Sequence, residues 1–135
     1  MKDRVFLDSN ILIYSYSITE PEKQTIARRL ISQNNSFIST QVLQELTNTV
    51  TRKFKFNYKV AQAAIHECCQ NNNLHINTGQ SILKACELAD RYGWSFYDSL
   101  IVSSALECEC LVLYSEDLQN GQIVDGRLKI LNPFL

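Results

Sequence analysis

A chain of 135 residues holds enough material for one hydrophobic core and too little for two comfortable domains, so residues 1–135 read as a single domain. Apolar and charged fractions of 45% and 20% exclude a disordered chain and indicate a folded soluble protein. A formal net charge of −1 excludes a protein that coats nucleic acid through bulk charge, while leaving room for a local basic patch.

The start, MKDRVFLDSN, has no apolar segment behind a basic flank, so no signal peptide is expected. No apolar stretch is long enough to span a bilayer. Five cysteines, an odd count in a chain without an export signal, read as reduced thiols rather than a disulfide framework. The expected location is the cytoplasm, with no membrane partner.

In chain order, short apolar runs at 5–7, 36–39, 74–76, 111–114 and 128–131 read as strands. Between them, residues 20–32, 40–53, 58–72, 81–92 and 96–107 have helical period, several with an apolar stripe near 3.6 spacing. This alternation predicts βα units around a parallel sheet, an α/β fold. Asn71-Asn72-Asn73 stops one helix, and Tyr92-Gly93-Trp94 stops another before Ser95 caps the next. Gly121, Gly126 and Pro133 mark turns. Residues 10–16 fit helix or strand equally well, because Ile11, Leu12, Ile13 and Tyr14 are apolar in both periods. There is no linker and no internal repeat.

Four acidic residues stand beside these runs: Asp8 in VFLDSNILIY, Glu45 in STQVLQELTNTV, Asp98 in WSFYDSLIVSSAL and Asp117 in LVLYSEDLQNGQ. Taken singly, each has an ordinary explanation. Asp8 fits a helix N-cap, and Asp98 fits a capping box with Ser95, in a first turn where the helix dipole favours a carboxylate. Glu45 flanks the stripe of Val42, Leu43, Leu46 and Val50 as a solvated helix edge. Asp117, beside Glu116 and ahead of Asn120-Gly121, fits a turn.

The set carries more than its members. Two of the acids follow strands directly and two lie in the first turns of helices, ends that share one rim in a parallel sheet. Carboxylates crowded there repel unless a divalent cation neutralises them, and an all-oxygen ligand set suits Mg²⁺ or Mn²⁺. Such an ion clamps a phosphodiester and activates water for in-line attack.

Ser9, Asn10 and Ser115 are polar neighbours able to orient a carboxylate, a metal-bound water or a phosphate oxygen, and equally suited to turns and caps. Arg52, Lys53, Lys55 and Lys59 interleave with Phe54, Phe56 and Tyr58, as cations and aromatics do on single-stranded nucleic-acid surfaces. The same cations would complement a helix C-terminus, with the aromatics turned into the core.

Competing chemistries lack their motifs. Zinc would need His66, Cys68, Cys69, His75, Cys86, Cys108 and Cys110 to supply a tetrahedral set, but there is no Cys-x-x-Cys pair, and the thiols read as core. There is no G-x-S-x-G elbow, no Walker A loop and no G-x-G-x-x-G. A phosphotransfer domain of the haloacid-dehalogenase kind wants Asp-x-Asp near the first strand, where this chain has Asn10. A receiver domain wants paired acids there and a late lysine, a pattern this chain also lacks.

The segments VFLDSNILIY, STQVLQELTNTVTRK and FYDSLIVSSALECECLVLYSEDLQNGQ, in this order and closed by NPF, resemble a PIN domain over nearly the whole chain. More narrowly, they are similar to the small VapC-like ribonucleases of prokaryotic toxin–antitoxin systems. The resemblance implies a three-layer α/β/α sandwich around a parallel sheet of four to five strands. It places the family's acidic quartet on Asp8, Glu45, Asp98 and Asp117, with Ser115 where a serine or threonine often precedes the last acid and Asn10 at the polar position after the first. It further implies Mg²⁺- or Mn²⁺-dependent cleavage of RNA, with Asp8 and Asp98 as core metal ligands and Glu45 and Asp117 holding a second ion or metal waters. A homodimer and a cognate antitoxin are the implied partners. The alternative within the family is an RNA-binding or assembly scaffold with little cleavage of its own.

Overall fold

The computed structural model describes residues 2–135. In chain order the elements are β1 (Arg4–Leu7), α1 (Ser9–Tyr16), α2 (Pro21–Gln33), β2 (Asn35–Ser39), α3 (Thr40–Arg52), α4 (Tyr58–Asn71), β3 (Asn73–His75), α5 (Gly79–Tyr92), α6 (Phe96–Glu107), β4 (Val112–Tyr114), β5 (Ile123–Val124) and β6 (Leu128–Leu131). Residues 10–16, open in the sequence, are helical, and the helix buries Ile11, Leu12 and Ser15.

The strands form one sheet in the order β3-β2-β1-β4-β6-β5. Five of them run parallel, with Val5 opposite Ser36 on one side and Val112 on the other. The sixth corrects the expected strand count and the purely parallel sheet: β5 pairs antiparallel with β6 as a two-residue edge strand. Two residues carry no readable period, and the turns at Gly121 and Gly126, both at positive φ, are all the sequence shows of it.

The chain leaves β1 toward β2 and β3, then doubles back to β4 on the other side of β1. Right-handed crossovers therefore put α1–α4 on one face and α5–α6 on the other. Sandwiched in this way, β1 is a continuous apolar run, with Val5, Phe6 and Leu7 all buried. Helix α6 is buried almost all round, from Ser99 to Leu106. Its serines are satisfied within the protein: Ser103 Oγ donates to Ser81 O at 2.8 Å and Ser104 Oγ accepts from Asn77 Nδ2 at 2.7 Å. The direction of chain travel reverses between β1 and β4, which opens a crevice at their carboxyl ends. Among the described residues no helix is long and apolar enough to cross a membrane.

Candidate active site

Asp8 is the first residue after β1 and only 3% exposed. Its backbone N–H donates to Tyr114 O at 3.0 Å, extending the β1–β4 pairing by one rung. Its carboxylate accepts from Ser9 N at 2.7 Å through Oδ1 and from Ser115 Oγ at 2.7 Å through Oδ2. Asp8 is thus the N-cap expected from the sequence, but the cap occupies only one of its oxygens. Burial pushes its pKa up to about 7. The bonds from Ser115 and Ser9 pull it down, and the charges of Asp117 and Glu45 add to the rise.

Ser115 is fully buried, and its Oγ also accepts from Asp117 N at 3.1 Å. Asn10 reaches across from α1, donating to Asp117 Oδ2 at 3.1 Å and accepting from Glu116 N at 3.4 Å. These two residues fix the turn after β4 against the first turn of α1. Glu116 turns the other way, accepting from Tyr14 Oη and Lys23 Nζ, both at 2.7 Å. Burial alone would raise the Glu116 pKa, but the bonds from Lys23 and Tyr14 outweigh it and hold the group low. Of two adjacent acids, one is neutralised structurally and the other is left to the crevice.

Glu45 sits in the second turn of α3 and is half-buried, which corrects its reading as a solvated edge. Its Oε1 is buried without a hydrogen-bond partner among the described residues. Burial raises its pKa first of all; the Ser9 hydroxyl offsets this in part, and Asp98 and Asp117 add to it. Asp98 lies in the first turn of α6, where its N–H donates to Ser95 Oγ at 3.2 Å. The reciprocal half of the expected capping box is not made among the described residues, so the Asp98 carboxylate is free for its neighbours. Sequence reading missed Gln41: a glutamine on the flank of an apolar stripe looks solvated, yet it is 4% exposed.

The four acids therefore share one field, and among the described residues none of them is in a salt bridge. They do not form a closed cage, since among the described residues no three metal-ligating side chains stand at direct-ligation spacing. That suits a small hard cation, which binds through one or two carboxylates and keeps several waters. The buried, partnerless Glu45 oxygen and the buried charge of Asp8 both fit such an ion.

Other candidates fall elsewhere. Arg52, Lys53, Lys55 and Lys59 are all exposed, but Phe54 and Phe56 turn inward onto the core and leave Tyr58 as the exposed aromatic of the stretch. Arg52 is two turns beyond Glu45, roughly 10 Å along the helix axis. All five cysteines are free: Cys68, Cys108 and Cys110 are buried as expected, while Cys69 and Cys86 are exposed. A cavity of about 670 Å³, lined in part by Tyr16, Arg28, Glu67 and Cys68, contains none of the four acids.

Residues 5–120 match the PIN domain family. The chain belongs to that family. The match spans every acid of the quartet, and solved structures agree on the fold. This PIN domain is similar to Mycobacterium tuberculosis VapC20, described as a sarcin-ricin loop cleaving toxin, with a TM-score of 0.69 and 18% identity over 84% of this chain and 89% of that one. It is similar to VapBC2 from Rickettsia felis, bound to a DNA fragment from its promoter, with a TM-score of 0.67 and 19% identity over 96% and 99%. DNA-bound VapBC from Salmonella typhimurium gives a TM-score of 0.67 and 18% identity over 95% and 98%. No curated protein sequence matches the chain.

Proposed function

We propose that this PIN domain is a Mg²⁺- or Mn²⁺-dependent endoribonuclease of the VapC toxin kind, acting in the cytoplasm as a homodimer and restrained by a cognate antitoxin. The observation that carries the reading is the rim itself: four acids sharing one field across the β1–β4 crevice, one of them buried, with none of them paired to a cation among the described residues. Two of the similar structures are of VapBC, and a third is of a toxin described as cleaving the sarcin-ricin loop, which supports the same class.

In this mechanism Ser9 and Ser115 orient the Asp8 carboxylate toward the crevice, and Asn10 holds Asp117 across from it. Asp8 and Asp98 would be the primary ligands of a bound divalent ion, and Glu45 and Asp117 would hold a second ion or its waters. A bound divalent ion supplies phosphate charge neutralisation and an acidified water at neutral pH. The residues of the crevice would orient an attacking water in line with the scissile phosphorus, and hydrolysis with the 3′ oxygen as leaving group would leave a 5′ phosphate on one product. Arg52, Lys53, Lys55 and Lys59 are placed to attract the flanking RNA backbone at long range.

The test is cleavage of a mixed RNA pool by the wild type and Asp98→Asn, with Mg²⁺, Mn²⁺ or EDTA. Products that form only with metal and only with the wild type support the nuclease. Cutting that persists in Asp98→Asn or in EDTA overturns it, and RNA that binds but is never cut assigns the chain to the scaffold branch of the family.

A further inference from the structure

Gln41 lies four positions before Glu45, on the same side of α3 and one turn nearer the crevice rim. Its Nε2 donates to the backbone oxygen of Tyr97, the residue immediately before Asp98, at 3.0 Å. A backbone carbonyl only accepts, so this bond fixes which end of the amide faces α6. The amide oxygen is thereby turned away from α6, and it is buried without a partner among the described residues.

An amide this deeply buried with one end unmet is destabilising, because the oxygen has lost its water without gaining a partner. Core packing at this position would be served better by methionine or leucine. The cost makes sense if the glutamine serves the site beside it. The partnerless oxygens of Gln41 and Glu45 stand at successive turns of one helix; the Gln41 backbone N–H donates to Asn77 Oδ1, while among the described residues the one group its side chain grips is the peptide that carries Asp98.

We propose, on the basis of the metal-dependent reading above, that Gln41 is a positioning residue: it ties α3 to the N-terminus of α6 and so sets the gap between Glu45 and Asp98 at the metal-binding rim. Its free oxygen accepts from a water in that gap. Asp98 sits at the end of a helix whose first turn is exposed, so without the tie the two carboxylates approach or separate as the helices shift.

The test is Mn²⁺ affinity by titration calorimetry of the full chain, together with denaturant stability in EDTA. Gln41→Met keeps length and packing while removing the bond to Tyr97 and the unpartnered amide oxygen. The expected result is a loss of roughly 10- to 100-fold in Mn²⁺ affinity, the usual size of an outer-shell effect, with stability equal to or above that of the wild type. Unchanged Mn²⁺ affinity in a folded Gln41→Met overturns the role of Gln41 alone. A wild type that binds no Mn²⁺ removes the metal reading beneath it as well, whereas a wild type that binds Mn²⁺ without cutting RNA removes the nuclease only.

If Gln41→Met fails to fold, Gln41→Glu answers the question. Protonated, the introduced carboxyl still donates to the Tyr97 carbonyl; ionised, it is repelled. Its Mn²⁺ affinity relative to the wild type should fall several-fold from pH 5.5 to pH 8. A flat or rising ratio overturns the proposal.

Discussion

Asp8 and Asp125 are both aspartates beside strand ends, and their surroundings separate a site from a staple. Asp125, in the turn between β5 and β6, accepts from Arg91 and Lys84 on α5, and the two cations hold its pKa below the ordinary value despite some burial. It pins the edge hairpin to a helix and owes nothing further to solvent or ligand. Asp8 has only hydroxyl and backbone donors, so its charge is hydrogen-bonded but not neutralised. The comparison shows that position at a strand end does not by itself single out an acid as a site candidate; an uncompensated charge is what distinguishes Asp8 from Asp125.

The sharpest way to break this comparison is Asp8→Asn, which keeps shape and removes the charge. If the charge serves an ion that contributes several kcal/mol to the reaction, RNA cleavage should fall by about 1,000-fold. A circular dichroism spectrum matching the wild type would exclude unfolding as the cause. Activity within tenfold of the wild type would place Asp8 with the staples.

The second effect is on stability and follows from proton counts. Asp8 titrates near 7 when folded and near 3.8 when unfolded, so between those values the folded state holds the extra proton. Stability from this group is therefore greatest below about pH 4 and declines as pH rises to 7, by up to about 4 kcal/mol in the metal-free protein. Urea unfolding in EDTA should show Asp8→Asn gaining on the wild type as pH rises through this window. Adding Mn²⁺ at pH 7 should close the gap by stabilising the wild type alone.

The smallest effect belongs to the staple. Asp125→Asn keeps a residue tolerated at φ +51 and removes the ion pairs. With Arg91 half-exposed, the expected loss is about 1 kcal/mol or less. It should shrink in high salt, with RNA cleavage and Mn²⁺ affinity unchanged.

The residues that sequence reading placed correctly are those whose evidence is local. Val5–Leu7 is apolar at every position because both faces of β1 are covered, and Gly93 and Ser95 announce a helix end and a helix start within three residues. What escaped depends on partners far along the chain. Glu45 looks solvated until the crevice closes over it, and Gln41 looks solvated until Tyr97, 56 residues later, takes its amide. Composition and periodicity do not separate Glu116 from Asp117, and only the family resemblance picks out Asp117; in the structure Lys23, 93 residues away from Glu116, pairs with that acid and leaves Asp117 without an ion pair among the described residues. The strand β5 escaped for the opposite reason, having too few residues for any pattern.

The bond from Ser115 to Asp8 spans 107 residues, and the strand pair beneath it joins the beginning of the chain to its last quarter. No fragment emerging from a ribosome before β4 can hold Asp8 in its observed pose, because the strand that receives its N–H and the hydroxyl 107 residues on that steadies its carboxylate are not yet made. The crevice acids from Asp8 onward come together only once β4 and the turn after it have been made, and a chain cut short before β4 carries the first acid without the neighbours that hold it.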